Sequence, residues 1–200
     1  GIGEPQDAAA IFAKARKLAS TDPALAIQLY QRGLVRAKPD AWVERKELAS
    51  LYEKQGQWNM ALAEYQAINK AVASAENLSD VIRMLEAAGY PREAAASARK
   101  AFAQYPGQPQ FLLLAGELFR KSGADDEALA ALKEYSKIKP KEGKPFFISG
   151  SIHEKAGRKP EALQDYLRAE KLMKDDKNLA DALKRLRTRT AVLGGLTVFL

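Results

Sequence analysis

Apolar positions along this chain recur at helical rather than alternating spacing, in stretches separated by short turns. Three stretches share one pattern: LYEKQGQWNMALAEYQAI (51–68), LFRKSGADDEALAALKEY (118–135) and IHEKAGRKPEALQDYLRA (152–169). Each has an apolar or aromatic residue, then Lys, then Gly, then Ala five residues after the Gly, then an apolar stripe. A weaker copy is MLEAAGYPREAAASARKA (84–101), and the earliest, LASTDPALAIQLYQRGL (18–34), lacks the turn glycine. The pattern predicts a helix, a Gly turn and a second helix, repeated.

The alanines set the period. Ala26, Ala61, Ala94, Ala128 and Ala162 are separated by 35, 33, 34 and 34 residues. Pro39, Pro106 and Pro140 punctuate the units, because proline cannot sit in a helix interior. Thr21-Asp22-Pro23, Asp125-Asp126-Glu127 and Lys159-Pro160-Glu161 supply capping groups, early proline or early acids at the start of second helices. The acidic triplet 125–127 reads as such a start rather than as a metal site. The predicted units are 7–41, 42–74, 75–108, 109–142 and 143–176, after an N-terminal tail at 1–6. A unit cannot bury its apolar face alone, so units of this kind stack.

The chain resembles the tetratricopeptide repeat family over roughly residues 7–176. Leu48, Ala49, Tyr52, Gly56, Trp58, Ala61 and Tyr65 carry the likeness in the second unit, and Gly116, Phe119, Gly123, Ala128, Leu132 and Pro140 in the fourth. Gly150, Gly157, Ala162, Tyr166 and Ala169 carry it in the fifth. The third keeps Leu85, Gly89, Ala94, Ala101 and Pro106. The first is degenerate, with Ala26, Tyr30, Gly33 and a late Pro39. The resemblance implies an all-α fold: a right-handed superhelical solenoid of helix-turn-helix repeats, closed by a C-terminal capping helix.

Composition then narrows the chemistry. With no cysteine, thiolate nucleophiles, disulfides and cysteine metal sites are excluded. The single histidine, His153, falls where Tyr52 and Phe119 stand in other units and reads as a packing residue. No Gly-rich phosphate loop or metal-spaced ligand set is present, so we expect no catalytic residue, no metal and no cofactor. The chain opens Gly-Ile-Gly, as after processing or behind a tag, and not as an intact signal peptide.

The resemblance also implies where a partner binds: a concave groove lined by the first helix of each unit. Those positions are Lys46 and Ser50, with Val43, Glu53 and Lys54, in the second unit, and Arg83, with Ser79 and Glu86, in the third. The fourth unit gives Leu113, Glu117 and Arg120, with Lys121. The fifth gives Lys144, Phe147, Ser151 and Lys155, with Glu154. The places that hold a terminal carboxylate in some family members are occupied here by Ala, Glu, Ser and Ile residues, so that role is not supported. Leu113 and Phe147 stand out, since an unoccupied groove position is normally polar. They read either as docking points for a peptide or helix, an acidic one among the candidates, or as residues packed against a neighbouring helix. Pentatricopeptide RNA binders have a similar period, and GLVRAKPD (33–40) resembles their unit ends. The small residues at Ala49, Gly116 and Gly150 and the acids in the groove disfavour that reading and nucleic acid with it.

Formal net charge is +7, and residues 171–190 carry seven Lys/Arg against three Asp. Leu179, Leu183, Leu186 and Leu193 form a helical stripe, which predicts a basic capping helix over 177–190. Lys184, Arg185, Arg187 and Arg189 then precede the apolar tail AVLGGLTVFL at 191–200. Ten helical residues span about 15 Å, half of a roughly 30 Å hydrocarbon core. Three readings stay open: the start of a transmembrane anchor, a cap folded onto the repeats, or a segment that enters another chain's groove. On the first, the positive flank puts the repeats on the cytoplasmic side. The functional expectation is a non-enzymatic scaffold or adaptor for a partner protein at a membrane. The rival is a soluble assembly factor or cochaperone, cytoplasmic or periplasmic, without membrane attachment. An RNA-binding helical repeat is the least supported alternative. The sequence does not fix the oligomeric state.

Overall fold

The computed structural model describes residues 7–193, and side chains over 7–187. Helices fill it, and no strand occurs among the described residues. They are α1 (Ala8–Leu18), α2 (Pro23–Arg36), α3 (Trp42–Lys54), α4 (Trp58–Ala71), α5 (Ala75–Ala87) and α6 (Pro91–Gln104). Then come α7 (Gln110–Lys121), α8 (Asp125–Ile138), α9 (Lys144–Lys155), α10 (Lys159–Leu172) and α11 (Lys177–Leu193). The N-terminal tail at 1–6 lies outside the described residues. The chain divides into two compact units, residues 1–90 and 91–200, cut between α5 and α6.

Local chemistry makes the turns. Gly56 has φ 70° and Gly157 has φ 79°, left-handed values that favour a residue without Cβ. Around Gly56 the Gln57 amide donates to the Tyr52 carbonyl at 2.9 Å, and around Gly157 the Arg158 amide donates to the His153 carbonyl at 2.8 Å. This six-to-one closure satisfies carbonyls left open at the end of a helix. The glycine-free first turn is closed differently, with the Asp22 amide donating to Leu18 and the Asp22 carboxylate capping the Leu25 amide at 3.2 Å. The acids Asp125, Asp126 and Glu127 form the first turn of α8.

In the first unit, α1 packs on α2, α3 on α4, and α5 on α4. The core joins Phe12, Tyr30, Leu48, Tyr52, Tyr65 and Met84, all buried. In the second unit, α6 lies on α7, α7 on α8, α9 on α10 and α10 on α11. All five periodic alanines are fully buried. A Cβ on Gly116 would come within 2.7 Å of Leu132, and one on Gly150 within 2.7 Å of the Tyr166 ring. Small residues thus set the helix spacing that the aromatic and leucine side chains fill.

Helix α11 buries Leu179, Ala182, Leu183 and Leu186 against Ala162, Tyr166 and Ala169 of α10. It extends past residue 190 to Leu193, taking in the first three residues of the apolar tail. One period after the small Gly150 of α9 stands Lys184, and one period after His153 stands Arg187. The side chains of Arg189 and Leu193, and residues 194–200 of the tail, lie outside the described part of the chain. No helix among the described residues is long and apolar enough to cross a membrane.

Candidate functional site

Stacking helices one period apart sets residues about thirty positions apart side by side, and the first-helix faces use this for ion pairs. In the first unit, Arg16 reaches from α1 to Glu47 of α3, its Nε donating at 2.8 Å and its second nitrogen at 3.0 Å. The Tyr30 hydroxyl of α2 donates to the same carboxylate at 2.7 Å. Burial pushes the Glu47 carboxyl up, but the hydrogen bonds from Arg16 and Tyr30 outweigh it and hold the group below its ordinary range.

A second arrangement occurs twice. Glu53 of α3 accepts the Tyr65 hydroxyl of α4 at 2.9 Å and the guanidinium of Arg83 from α5. Glu154 of α9 accepts the Tyr166 hydroxyl of α10 at 3.2 Å and Arg185 of α11 at 2.6 Å. Both tyrosines are pushed up to about 12, by burial first and then by the carboxylate beside them. Each clasp joins a first helix, its own second helix and the next first helix. Glu53 and Glu154 are 12 residues before their tyrosines, and that recurrence is the sequence signal for the pair.

The expected groove positions divide accordingly. Lys46 bonds Glu76 at 3.0 Å and lies 3.9 Å from Asp80. Arg83 bonds the same Asp80 at 2.8 Å besides Glu53, so Asp80 draws Lys46 and Arg83 together. Lys46 and Ser50 line a pocket of about 540 Å³ with Val43, Leu51, Arg16 and Glu47. Val43 is 67% exposed there, and Lys54 on the same lining is exposed and has no ion-pair partner among the described residues.

In the second unit, Lys144 bonds Glu117 at 2.8 Å. Leu113 is half-buried against Ala128, Leu132, Ile148 and Ile152. Phe147 is half-buried too, its ring centroid 5.7 Å from that of Tyr166. Arg120, Ser151 and Lys155 come together in a different place, a pocket of about 390 Å³ where the end of α7 meets α9 and the start of α8. Lys121 and Asp125 complete its rim. Arg120 and Lys155 are exposed and have no ion-pair partner among the described residues. Lys184, Arg185 and Arg187 are exposed on α11, with Arg185 engaged by Glu154.

His153 is half-buried. Its Nδ1 accepts from Arg158 at 2.8 Å, and its Nε2 lies 3.7 Å from Asp165. Among the described residues no three His, Asp or Glu side chains group as metal ligands. A further pocket, between α8, α9 and α10, was not legible as a site in the sequence. Its Lys133, Lys137 and Arg168 lie on second helices, which the groove positions do not include.

No family model matches the chain, and no curated protein matches it. Solved structures do. YrrB, described as a TPR protein with an unusual peptide-binding site, superposes with a TM-score of 0.66 at 18% identity, over 90% of this chain and 93% of that one. MamA (41-end) from Desulfovibrio magneticus RS-1 gives 0.63 at 12% identity, over 88% and 99%. TTC0263, a thermophilic TPR protein of Thermus thermophilus, gives 0.55 at 19% identity, over 90% and 99%. Helix pairs on a 34-residue period, glycine-closed turns and these superpositions agree: the chain has the tetratricopeptide-repeat fold.

Proposed function

We propose that the chain is a non-enzymatic scaffold that holds a segment of a partner protein against the first helices of its second unit. The observation that carries this reading is the Arg120–Ser151–Lys155 pocket. Elsewhere on the first-helix faces Arg16, Lys46, Arg83 and Lys144 are each committed to a carboxylate of the chain itself, and Lys54 is the one cation of its pocket without an ion-pair partner among the described residues. Arg120 and Lys155 leave two cations for an acidic segment to satisfy, while the Ser151 hydroxyl between them donates to the Ile148 carbonyl at 2.7 Å. Leu113 and Phe147 are outside the lining of this pocket and pack, half-buried, against neighbouring helices. The peptide-binding site of YrrB, on the same fold, is consistent with such use.

The test is capture of partner protein from the natural source on the immobilised chain. Arg120→Glu with Lys155→Glu removes the captured protein while the melting temperature stays unchanged. Undiminished capture by that variant overturns the reading.

Attachment at a membrane, with the repeats on the cytoplasmic side, belongs to the same proposal. Exposure of Lys184 and Arg187 on α11, just ahead of the apolar tail, supports it. The full chain then floats with vesicles containing anionic lipid. Failure to float turns the reading to a soluble assembly factor.

A further inference from the structure

Helix α9 lines a second pocket on its other face. Lys144, Ser151 and Lys155 share one side of it, while Phe146, Ser149 and His153 lie on the opposite side. There they meet α8 and α10 around a pocket of about 400 Å³, within the range of sites that hold a ligand. Leu129, Leu132 and Phe146 make an apolar floor. Lys133, Lys137 and Arg168 stand at the rim. The Arg168 guanidinium carbon is 5.8 Å from the Phe146 ring centroid, held by that ring's face. Neither Lys133 nor Lys137 has an ion-pair partner among the described residues. Asp165 is the one acid of the lining, and it sits beside His153.

Three cations round an apolar floor, with one acid to offset them, specify an occupant. We propose that this pocket is a second docking site, for an acidic segment of a partner protein. One aliphatic or aromatic side chain of that segment enters between Leu129, Leu132 and Phe146. Its flanking carboxylates lie against Lys133, Lys137 and Arg168. The site is separate from the Arg120–Lys155 pocket, whose lining also holds three cations and one acid but has no Leu or Phe floor. A partner that engages both faces gains effective concentration from the second contact without enlarging either.

The experiment uses the full chain and a fluorescein-labelled peptide with one Phe between glutamates, read by anisotropy at low salt. The peptide binds, and Lys137→Glu with Arg168→Glu weakens it by about tenfold or more, with melting temperature unchanged. Replacing the peptide Phe by Ser weakens it similarly, and Arg120→Glu with Lys155→Glu leaves it within about twofold. The proposal is overturned by absence of binding, by indifference to the rim reversal, or by indifference to the Phe. It is equally overturned if the Arg120 and Lys155 reversal alone removes the peptide, or if an RNA oligonucleotide displaces it at equal affinity.

Discussion

The two units use the same helix pair and differ in what they do with charge. Residues 1–90 contain eleven Lys/Arg and eleven Asp/Glu, while residues 91–200 contain twenty-one and fourteen, so the whole excess of +7 belongs to the second unit. In the first unit Arg16, Lys46 and Arg83 each meet an acid of a neighbouring first helix: Glu47, Glu76 and Glu53. In the second, the position equivalent to Glu53 on α7 is Arg120. With Leu132 at the place of the tyrosine and Ser151 at that of the arginine, no clasp forms there, and Arg120 stands exposed. The fold tolerates the change because packing, not ion pairing, carries most of the stability, and exposed ion pairs contribute little.

The sharpest way to break the comparison is through the core. Tyr166→Ala removes a fully buried ring together with a hydroxyl that reaches Glu154. We expect a loss of about 3–5 kcal/mol, read by denaturant titration. Hydrogen exchange should show the loss of protection first in α9, α10 and α11. Overpacking comes next. Ala128→Leu and Ala61→Leu place a larger side chain at equivalent fully buried positions in the two units. Each is expected to cost about 1–3 kcal/mol, and melting curves equal to the parent's would contradict close helix packing at the alanines.

The clasps follow. Arg83→Ala and Arg185→Ala each remove a half-exposed guanidinium from the same Glu–Tyr arrangement, and each is expected to cost about 0.2–1 kcal/mol, less at high salt. Similar values for the two would show that the clasp works alike in both units. A large difference would show that its context, not its chemistry, sets its strength. The smallest effect is that of pH. Glu47 is held below its ordinary range, so its contribution is present above the unfolded carboxylate value and fades as pH falls through the folded one. Stability measured on acidification should decline less steeply in Glu47→Gln than in the parent.

Much of the fold was legible because its cause is local and periodic. Gly56, Gly123 and Gly157 mark turns that require left-handed backbone, and the alanines mark where two helices touch. The fate of the groove residues was harder to read. Lys46, Arg83 and Arg185 find their acids about one period away, 30 or 31 residues along the chain. A search for opposite charges at that spacing would have found them; reading each helix as a separate surface does not. Leu113 and Phe147 sit at the edge between the exposed and the packed side of their helices, and spacing alone left both readings open. Tyr135 shows another limit. The position of Tyr65 and Tyr166 is Leu132 in α8, and the nearby Tyr135 instead donates to Glu142 in the following loop.

Helix α11 has a consequence of its own. It docks on α10 as a first helix docks on the second helix before it, and Arg185 repeats the clasp of Arg83. Yet where α3, α7 and α9 present Ala49, Gly116 and Gly150 to a companion helix, α11 presents Lys184, and Arg187 replaces the large packing residue. A helix laid there would have to bury an ammonium group with no room for its water.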